Sequence, residues 1–183
     1  MIKVLFVCHG NICRSPMAEF IFKDMAEKQG LSDQFEIASA ATSTEEIWNG
    51  IGNPVYPPAR RKLAEHGIDC SGKTARQLRN NDYEEFDLLI GMDQANLRSM
   101  YHICGGRGDK LHLLMEYTDR PGEVADPWYT RDFEATWRDV NDGCRGLLTQ
   151  LREHMEGTQP CGQTDKMQFF ENKPMPCPRM GEK

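Results

Sequence analysis

The sequence predicts an α/β domain built on a mostly parallel sheet. Three observations carry this. Short apolar runs that read as buried strands alternate with segments whose apolar residues recur at helical spacing. The first of these runs passes through a short polar loop directly into a helix with proline in its opening turn. The last element is a long amphipathic segment with one apolar face.

Residues 2–7, Ile-Lys-Val-Leu-Phe-Val, form the first strand, bounded by His9-Gly10-Asn11. Pro16 follows, and Met17, Phe20, Ile21 and Met25 step along one helix face. Proline is tolerated in a first turn because its missing N–H has no intrahelical partner there. A strand–loop–helix unit of this kind sets a ligand site at the carboxyl end of the strand, against the helix N-terminus. Phe35-Glu-Ile-Ala38 is the second strand, and residues 41–58 read as a long loop. A helix over 58–66 is ended by Gly67. Asp87-Leu-Leu-Ile90 is the third strand, Gln94 to Met100 a helix, and Lys110-Leu-His-Leu-Leu114 the fourth strand. Phe133, Trp137, Val140, Cys144, Leu147, Leu148 and Leu151 then step by three and four, which predicts the closing helix. Beyond it the apolar periodicity ends and prolines recur at 160, 174, 176 and 178. The expected organisation is one domain over 1–156 and a Pro-rich, disordered tail over 157–183, with Phe169-Phe170 as its one apolar spot.

Composition narrows the function classes. With 22 basic against 28 acidic residues the chain carries a formal charge of −6, which disfavours partners that are themselves anionic, so neither nucleic acid nor a membrane surface is expected. The apolar runs fall short of the ~20 residues that a membrane-spanning helix needs, and no signal peptide is read at the N-terminus. Seven cysteines, an odd number, fit a reducing cytoplasm better than a disulfide scaffold. Cys70, Cys104 and Cys144 read as small apolar filler, and Cys161 and Cys177 lack the further ligands that a structural zinc requires. No metal site is expected.

The chemistry concentrates in Cys8-His9-Gly10-Asn11-Ile12-Cys13-Arg14-Ser15-Pro16, where a cysteine, five residues and an arginine join strand to helix. Transfer of a phosphoryl group needs a nucleophile and stabilisation of three equatorial oxygens. A loop of this length can turn successive backbone N–H groups inward as an anion nest, and Gly10 and Asn11 tolerate the left-handed backbone it requires. Arg14 can hold two phosphoryl oxygens as a planar fork, and with the helix N-terminus it favours a thiolate at Cys8. The Ser15 hydroxyl can stabilise that sulfur. Cys13 brackets the other end of the loop and is placed to condense with an oxidised Cys8 into a reversible disulfide. Thiolate attack also needs an acid for the leaving oxygen, and Asp126-Pro127-Trp128-Tyr129 offers one beside two aromatics. Trp48, Trp128 and Tyr129 read as apolar walls for an aromatic ester.

The run Val7 to Pro16 resembles the signature of the low-molecular-weight protein tyrosine phosphatases, and Asp126-Pro127 resembles that family's late Asp-Pro. Ser39-Ala-Ala-Thr42, His66-Gly67-Ile68, Ala75-Arg76-Gln77 and Met92-Asp93-Gln94-Ala95-Asn96-Leu97 resemble its other landmarks in the same order. The resemblance covers about residues 1–154. It implies a four-stranded parallel sheet flanked by helices, the phosphotyrosine phosphatase I-like, Rossmann-like architecture, without cofactor or metal. It implies hydrolysis of phosphotyrosine in proteins through a phosphocysteine on Cys8, with Arg14 as phosphate clamp and Asp126 as general acid and base. It makes Asn11, Ser15 and His66 supports of the loop, His66 through a hydrogen bond to Asn11, and leaves Asp93 an N-cap with a supporting role. His9 stands where the family often has an aliphatic residue. The chain is expected to act as a monomer or weak dimer.

Two other enzymes on a similar fold compete. An arsenate reductase needs further cysteines after the third strand, and residues 80–103 contain none. Phosphoarginine phosphatases carry Thr where this loop has Ile12, and an apolar Ile12 suits a phenyl ring rather than a guanidinium. A non-catalytic phosphate-binding module has no need of both Cys8 and Asp126.

Overall fold

The computed structural model describes residues 1–157; the tail expected after them, with Phe169-Phe170, Cys161 and Cys177, lies outside the described residues. In chain order the elements are β1 (Ile2–Cys8), α1 (Arg14–Lys28), β2 (Phe35–Ala41), the short pair β3 (Ile47–Trp48) and β4 (Ile51–Gly52), and α2 (Pro57–Glu65). They continue with α3 (Asp82–Glu85), β5 (Leu88–Gly91), α4 (Gln94–Ile103), β6 (Leu111–Leu113), α5 (Pro127–Thr130) and α6 (Phe133–Gly157).

Four strands make one parallel sheet in the order β2-β1-β5-β6. The chain leaves β1 toward β2 on one side, while β5 and β6 lie on the other. The order therefore reverses between β1 and β5, and the crevice at their carboxyl ends is where such sheets bind ligands. Cys8 ends β1 there, and Gly91 ends β5 beside it.

Alternation along β1 builds both halves of the core. Val4, Phe6 and Cys8 face α1 and α6, with Met17, Ile21, Phe22, Val140, Cys144 and Leu148. Leu5 and Val7 face the opposite layer, with Leu78, Tyr83, Phe86, Met100 and Cys104. A strand buried on both faces reads as a continuous apolar run, which is why its sequence signal was strong. The closing helix buries Trp137, Val140, Cys144, Leu147, Leu148 and Leu151 as its spacing predicted. It also packs without room for a side chain at Gly146, where a Cβ would lie 1.9 Å from the Tyr117 carbonyl oxygen.

One part of the chain differs from the sequence reading. Residues 41–58 are not a plain loop: Ile47 pairs with Gly52 and Trp48 with Ile51 across Asn49-Gly50, whose φ values are 50° and 79°. Asn-Gly is the preferred pair for a tight hairpin of this kind, because both central residues need positive φ. The helix after the first loop starts at Arg14, which puts Pro16 in its first turn as expected, and the Met17 N–H donates to the Cys13 carbonyl.

Candidate active site

The loop from Cys8 to Ser15 is held from the side of β2 by backbone bonds. Thr42 N–H donates to the Cys8 carbonyl at 2.9 Å and Ser43 N–H to the His9 carbonyl at 3.0 Å. Asn11 takes the left-handed backbone, at φ 57°. Gly10 does not, contrary to expectation; a Cβ there would meet the Glu46 Cγ at 3.1 Å, so Gly10 keeps the loop and the 45–46 segment close together. Cys13 precedes α1 without capping it, which leaves the first-turn N–H groups for an anion.

A continuous polar chain runs behind the sulfur. Asn11 Nδ2 donates to Ser15 Oγ at 2.9 Å and to Ser39 Oγ at 2.8 Å, while its Oδ1 accepts the Arg76 N–H at 3.1 Å. Ser15 Oγ lies 3.0 Å from Cys8 Sγ. Because that hydroxyl accepts from Asn11, its own proton faces the sulfur or the Ala40 carbonyl, and the latter is farther away at 3.5 Å. Ser39 Oγ donates to Glu19 Oε2 at 2.5 Å, and Lys73 Nζ sits 2.9 Å from the same oxygen and 3.2 Å from the Ser39 carbonyl. Burial opposes charge on Glu19, but Lys73, Lys23 and the Ser39 hydroxyl outweigh it and hold the carboxyl below its usual range. Burial depresses Lys73, with Glu19 pulling the other way.

Arg14 is buried between two carboxylates. Nη1 meets Asp93 Oδ2 at 2.6 Å and Nη2 meets Asp126 Oδ2 at 2.6 Å. Each carboxylate spends its other oxygen on a helix N-terminus: Asp93 Oδ1 accepts the Asn96 N–H at 2.6 Å and Asp126 Oδ1 the Trp128 N–H at 3.0 Å. Asp93 is thus both cap and arginine partner. Burial alone disfavours charge on Arg14, but Cys8, Asp126 and Asp93 hold its pKa above the ordinary value. The same burial, with the charge on Cys8, pushes the Cys13 thiol up to about 12. Cys8 and Cys13 are both buried free thiols.

The aromatic residues expected at the rim are solvent-facing: Trp48 is 73% exposed, Trp128 53% and Tyr129 83%. Tyr56 packs against Trp128 and Phe133, at ring distances of 6.0 and 6.2 Å, and its N–H donates to the Ile12 carbonyl. His9 is exposed and pairs with Glu45 at 3.0 Å, which links the loop to the segment leading into the Trp48 hairpin.

His66 is a correction. Its ring stacks on Trp137 at 3.7 Å and 7°, whereas Asn11 uses both its amide donors and its oxygen on Ser15, Ser39 and Arg76. The ring lies at the end of α2, on the flank of α6. The buried support that sequence reasoning missed is Glu19 with Lys73. A signal existed for Glu19: a carboxylate in register with Ser15 and Phe22 on the buried face of α1.

The site joins a thiol, an arginine fork, an orphaned helix N-terminus and a carboxylate at the mouth. That set can bind a tetrahedral oxyanion, attack it and move a proton. Among the described residues no group of three or more His, Cys, Asp or Glu side chains is disposed to hold a metal ion, and no helix is long and apolar enough to cross a membrane.

Comparison with known proteins agrees with this geometry. Residues 3–157 match the profile of the family described as low molecular weight phosphotyrosine protein phosphatase. The low molecular weight protein-tyrosine-phosphatase YfkJ of Bacillus subtilis is 38% identical over 159 residues, covering 85% of this chain and 99% of that protein. The low molecular weight phosphotyrosine protein phosphatase of Sus scrofa is 38% identical over 157 residues, covering 82% and 96%. The crystal structure of YfkJ superposes with a TM-score of 0.78, at 38% identity and over 84% of this chain and 96% of that one. A Drosophila arginine phosphatase superposes at 0.73, with 28% identity over 82% and 98%. The chain belongs to the low-molecular-weight phosphotyrosine protein phosphatase family.

Proposed function

We propose that this chain hydrolyses phosphotyrosine in proteins through a phosphocysteine on Cys8, with Asp126 as general acid and then base. The observation that carries the reading is the Arg14 fork, held at 2.6 Å by Asp93 on one arm and at 2.6 Å by Asp126 on the other. Asp93 fixes the guanidinium for two phosphoryl oxygens. Asp126, at 26% side-chain exposure, stands at the open edge and can yield its place to phosphate.

In the first step the Cys8 thiolate attacks phosphorus, an S–P bond forms, and the bond to the tyrosyl oxygen breaks. Asp126 gives its proton to that oxygen. In the second step Asp126, now a carboxylate, takes a proton from water as the water attacks phosphorus. Phosphate leaves and the Cys8 thiolate returns, stabilised by the Ser15 hydroxyl at 3.0 Å. Backbone N–H groups of the loop and α1 balance the developing charge. Apolar Ile12 and the exposed Trp48, Trp128 and Tyr129 favour a phenyl ring. The catalytic unit is residues 1–156, working without cofactor in the cytoplasm as a monomer or weak dimer.

A structural neighbour described as an arginine phosphatase keeps phosphoarginine as the competing substrate. The test is kcat/KM on matched phosphotyrosine and phosphoarginine peptides. Preference for phosphotyrosine, abolished in Cys8→Ser with a phosphorylated enzyme trapped by acid quench in the parent, supports the reading. Preference for phosphoarginine overturns the substrate assignment.

A further inference from the structure

Asp126 is carried by a stretch without helix or strand, residues 118–126, between the turn after β6 and α5. Such a segment is aimed only by what grips it. The residue immediately before the acid, Ala125, has both of its backbone polar groups held by side chains of α6. Its N–H donates to Asp139 Oδ2 at 3.1 Å, and its carbonyl accepts from Thr136 Oγ1 at 2.8 Å. Thr136 and Asp139 are three residues apart, hence on one face of the helix, and both are buried, at 0% and 8% exposure.

The N–H belongs to the peptide plane before Ala125 and the carbonyl to the plane that joins it to Asp126. Peptide units are planar, so fixing one group in each plane sets both backbone torsions of Ala125 and the direction in which Asp126 leaves it. Asp126 is extended, at φ −85° and ψ 110°, and Pro127 restricts it from the other side. Arg120 in turn fixes Asp139: Nη1 reaches Asp139 Oδ1 at 2.9 Å and Nη2 reaches Asp142 Oδ2 at 2.8 Å. The Val124 N–H also donates to the Met92 carbonyl at 2.9 Å, which ties the segment to the end of β5, next to Asp93. The acid and the Arg14 partner are therefore referenced to one another.

We propose that Thr136 and Asp139 are positioning residues for the proton transfer. They hold Ala125 so that the Asp126 carboxyl reaches the leaving oxygen. The inference rests on the reading of Asp126 as general acid. A purely structural role for the pair predicts lost stability and a uniform loss of activity. A positioning role predicts a loss in the first step that depends on how much the leaving group needs a proton, because in that step a misplaced acid costs nothing where no proton is required.

The experiment compares Thr136→Val, close to isosteric, and Asp139→Ala with the parent on phenyl phosphate and on para-nitrophenyl phosphate. Thr136→Ser, which retains a hydroxyl to donate to the Ala125 carbonyl, serves as the conservative variant. Because Asp126 also serves as base in the second step, which all substrates share, the variants are compared in kcat/KM, which reports transfer to Cys8 alone. The expected result is a fall of about tenfold or more on phenyl phosphate and little change on para-nitrophenyl phosphate. Inhibition by inorganic phosphate should stay unchanged, since Cys8, Arg14 and the loop are untouched. Thr136→Ser should recover most of the loss. In an Asp126→Asn background, Thr136→Val should cost nothing further. If Asp126→Asn itself loses equally on both substrates, the acid assignment fails and takes the inference with it. If Asp126→Asn shows leaving-group dependence while Thr136→Val loses equally on both substrates, or adds in full to Asp126→Asn, the acid stands and the positioning role is overturned. Should Asp139→Ala fail to fold, Thr136→Val decides alone.

Discussion

Arg14 Nη2 lies 2.6 Å from an Asp126 carboxylate oxygen, so the proposed acid and the proposed phosphate clamp share one arm of the guanidinium. The other arm is held by Asp93 at the same distance. Of the two, Asp93 is the more enclosed, with 17% of its side chain exposed against 26% for Asp126. A phosphoryl group entering the loop brings its own anionic oxygens to Nη2. In the proposed mechanism that exchange would release Asp126 toward the leaving oxygen, with Asp93 still holding the guanidinium.

The first prediction concerns that acid. Asp126→Asn should lose ~10²–10⁴ in kcat/KM on a poor leaving group, the range for general acid catalysis, and less on a good one. The parent should show a bell-shaped pH profile with an acidic to near-neutral optimum, because the cycle needs Cys8 ionised while Asp126 is protonated. Steady-state kinetics on a series of aryl phosphates measure this. A flat dependence on leaving group makes Asp126 structural.

The nucleophile and its clamp are tested by binding as well as rate. Cys8→Ser should abolish turnover yet still bind inorganic phosphate, since the loop N–H groups and Arg14 remain. Arg14→Lys should be nearly as damaging, because a point charge cannot grip Asp93 and a phosphoryl group as a planar fork does. Phosphate binding by calorimetry separates the two: kept in the first variant, weakened in the second.

The buried Glu19–Lys73 pair makes stability depend on pH. The Glu19 carboxyl is held below its ordinary 4.5 in the folded chain. Its contribution is therefore complete above the unfolded value and lost as pH falls through the lower, folded one. Lys73 is depressed instead, so folding gains stability from it only as pH rises toward its ordinary 10.5. Glu19→Gln should flatten the acid limb of a stability–pH curve. At neutral pH it should cost about 3 kcal/mol, because it leaves Lys73 buried without its main counter-charge. Urea unfolding across the acid range reads both. An unchanged acid limb would show that Glu19 is not the group responsible.

Oxidation should be reversible. Peroxide converts the Cys8 thiolate to a sulfenic acid; the Cys13 thiol then condenses with it, forming a disulfide and releasing water. Cys13 is held at about 12 by burial and by the charge on Cys8. Dithiothreitol should restore the parent after peroxide treatment, and bound phosphate should slow the inactivation. Cys13→Ser should stay active but recover poorly; equal recovery makes Cys13 mere packing.

Much of this protein is local in origin. The apolar run of β1, the polar turn and the Pro16 helix are contiguous, so the placement of Cys8 and Arg14 on a strand end and a helix start could be read from sixteen residues. The single apolar face of α6 and the strand candidates at 35–38, 87–90 and 110–114 were legible for the same reason: periodicity is a property of one segment at a time. The Asn49-Gly50 hairpin carried an equally local signal, hidden inside what read as a loop.

Tertiary structure decided the partners. Asn11 could have met His66 or Ser39 as far as sequence separation goes; the packing of β2 beside β1 brings Ser39, and α2 delivers His66 to Trp137. Lys73 reaches Glu19 across 54 positions, and Asp139 reaches Ala125 from the far side of α5. A side chain's residue type says which bonds it can make. Which of them it does make depends on which elements the sheet order and helix packing set side by side, and that is a property of the whole fold.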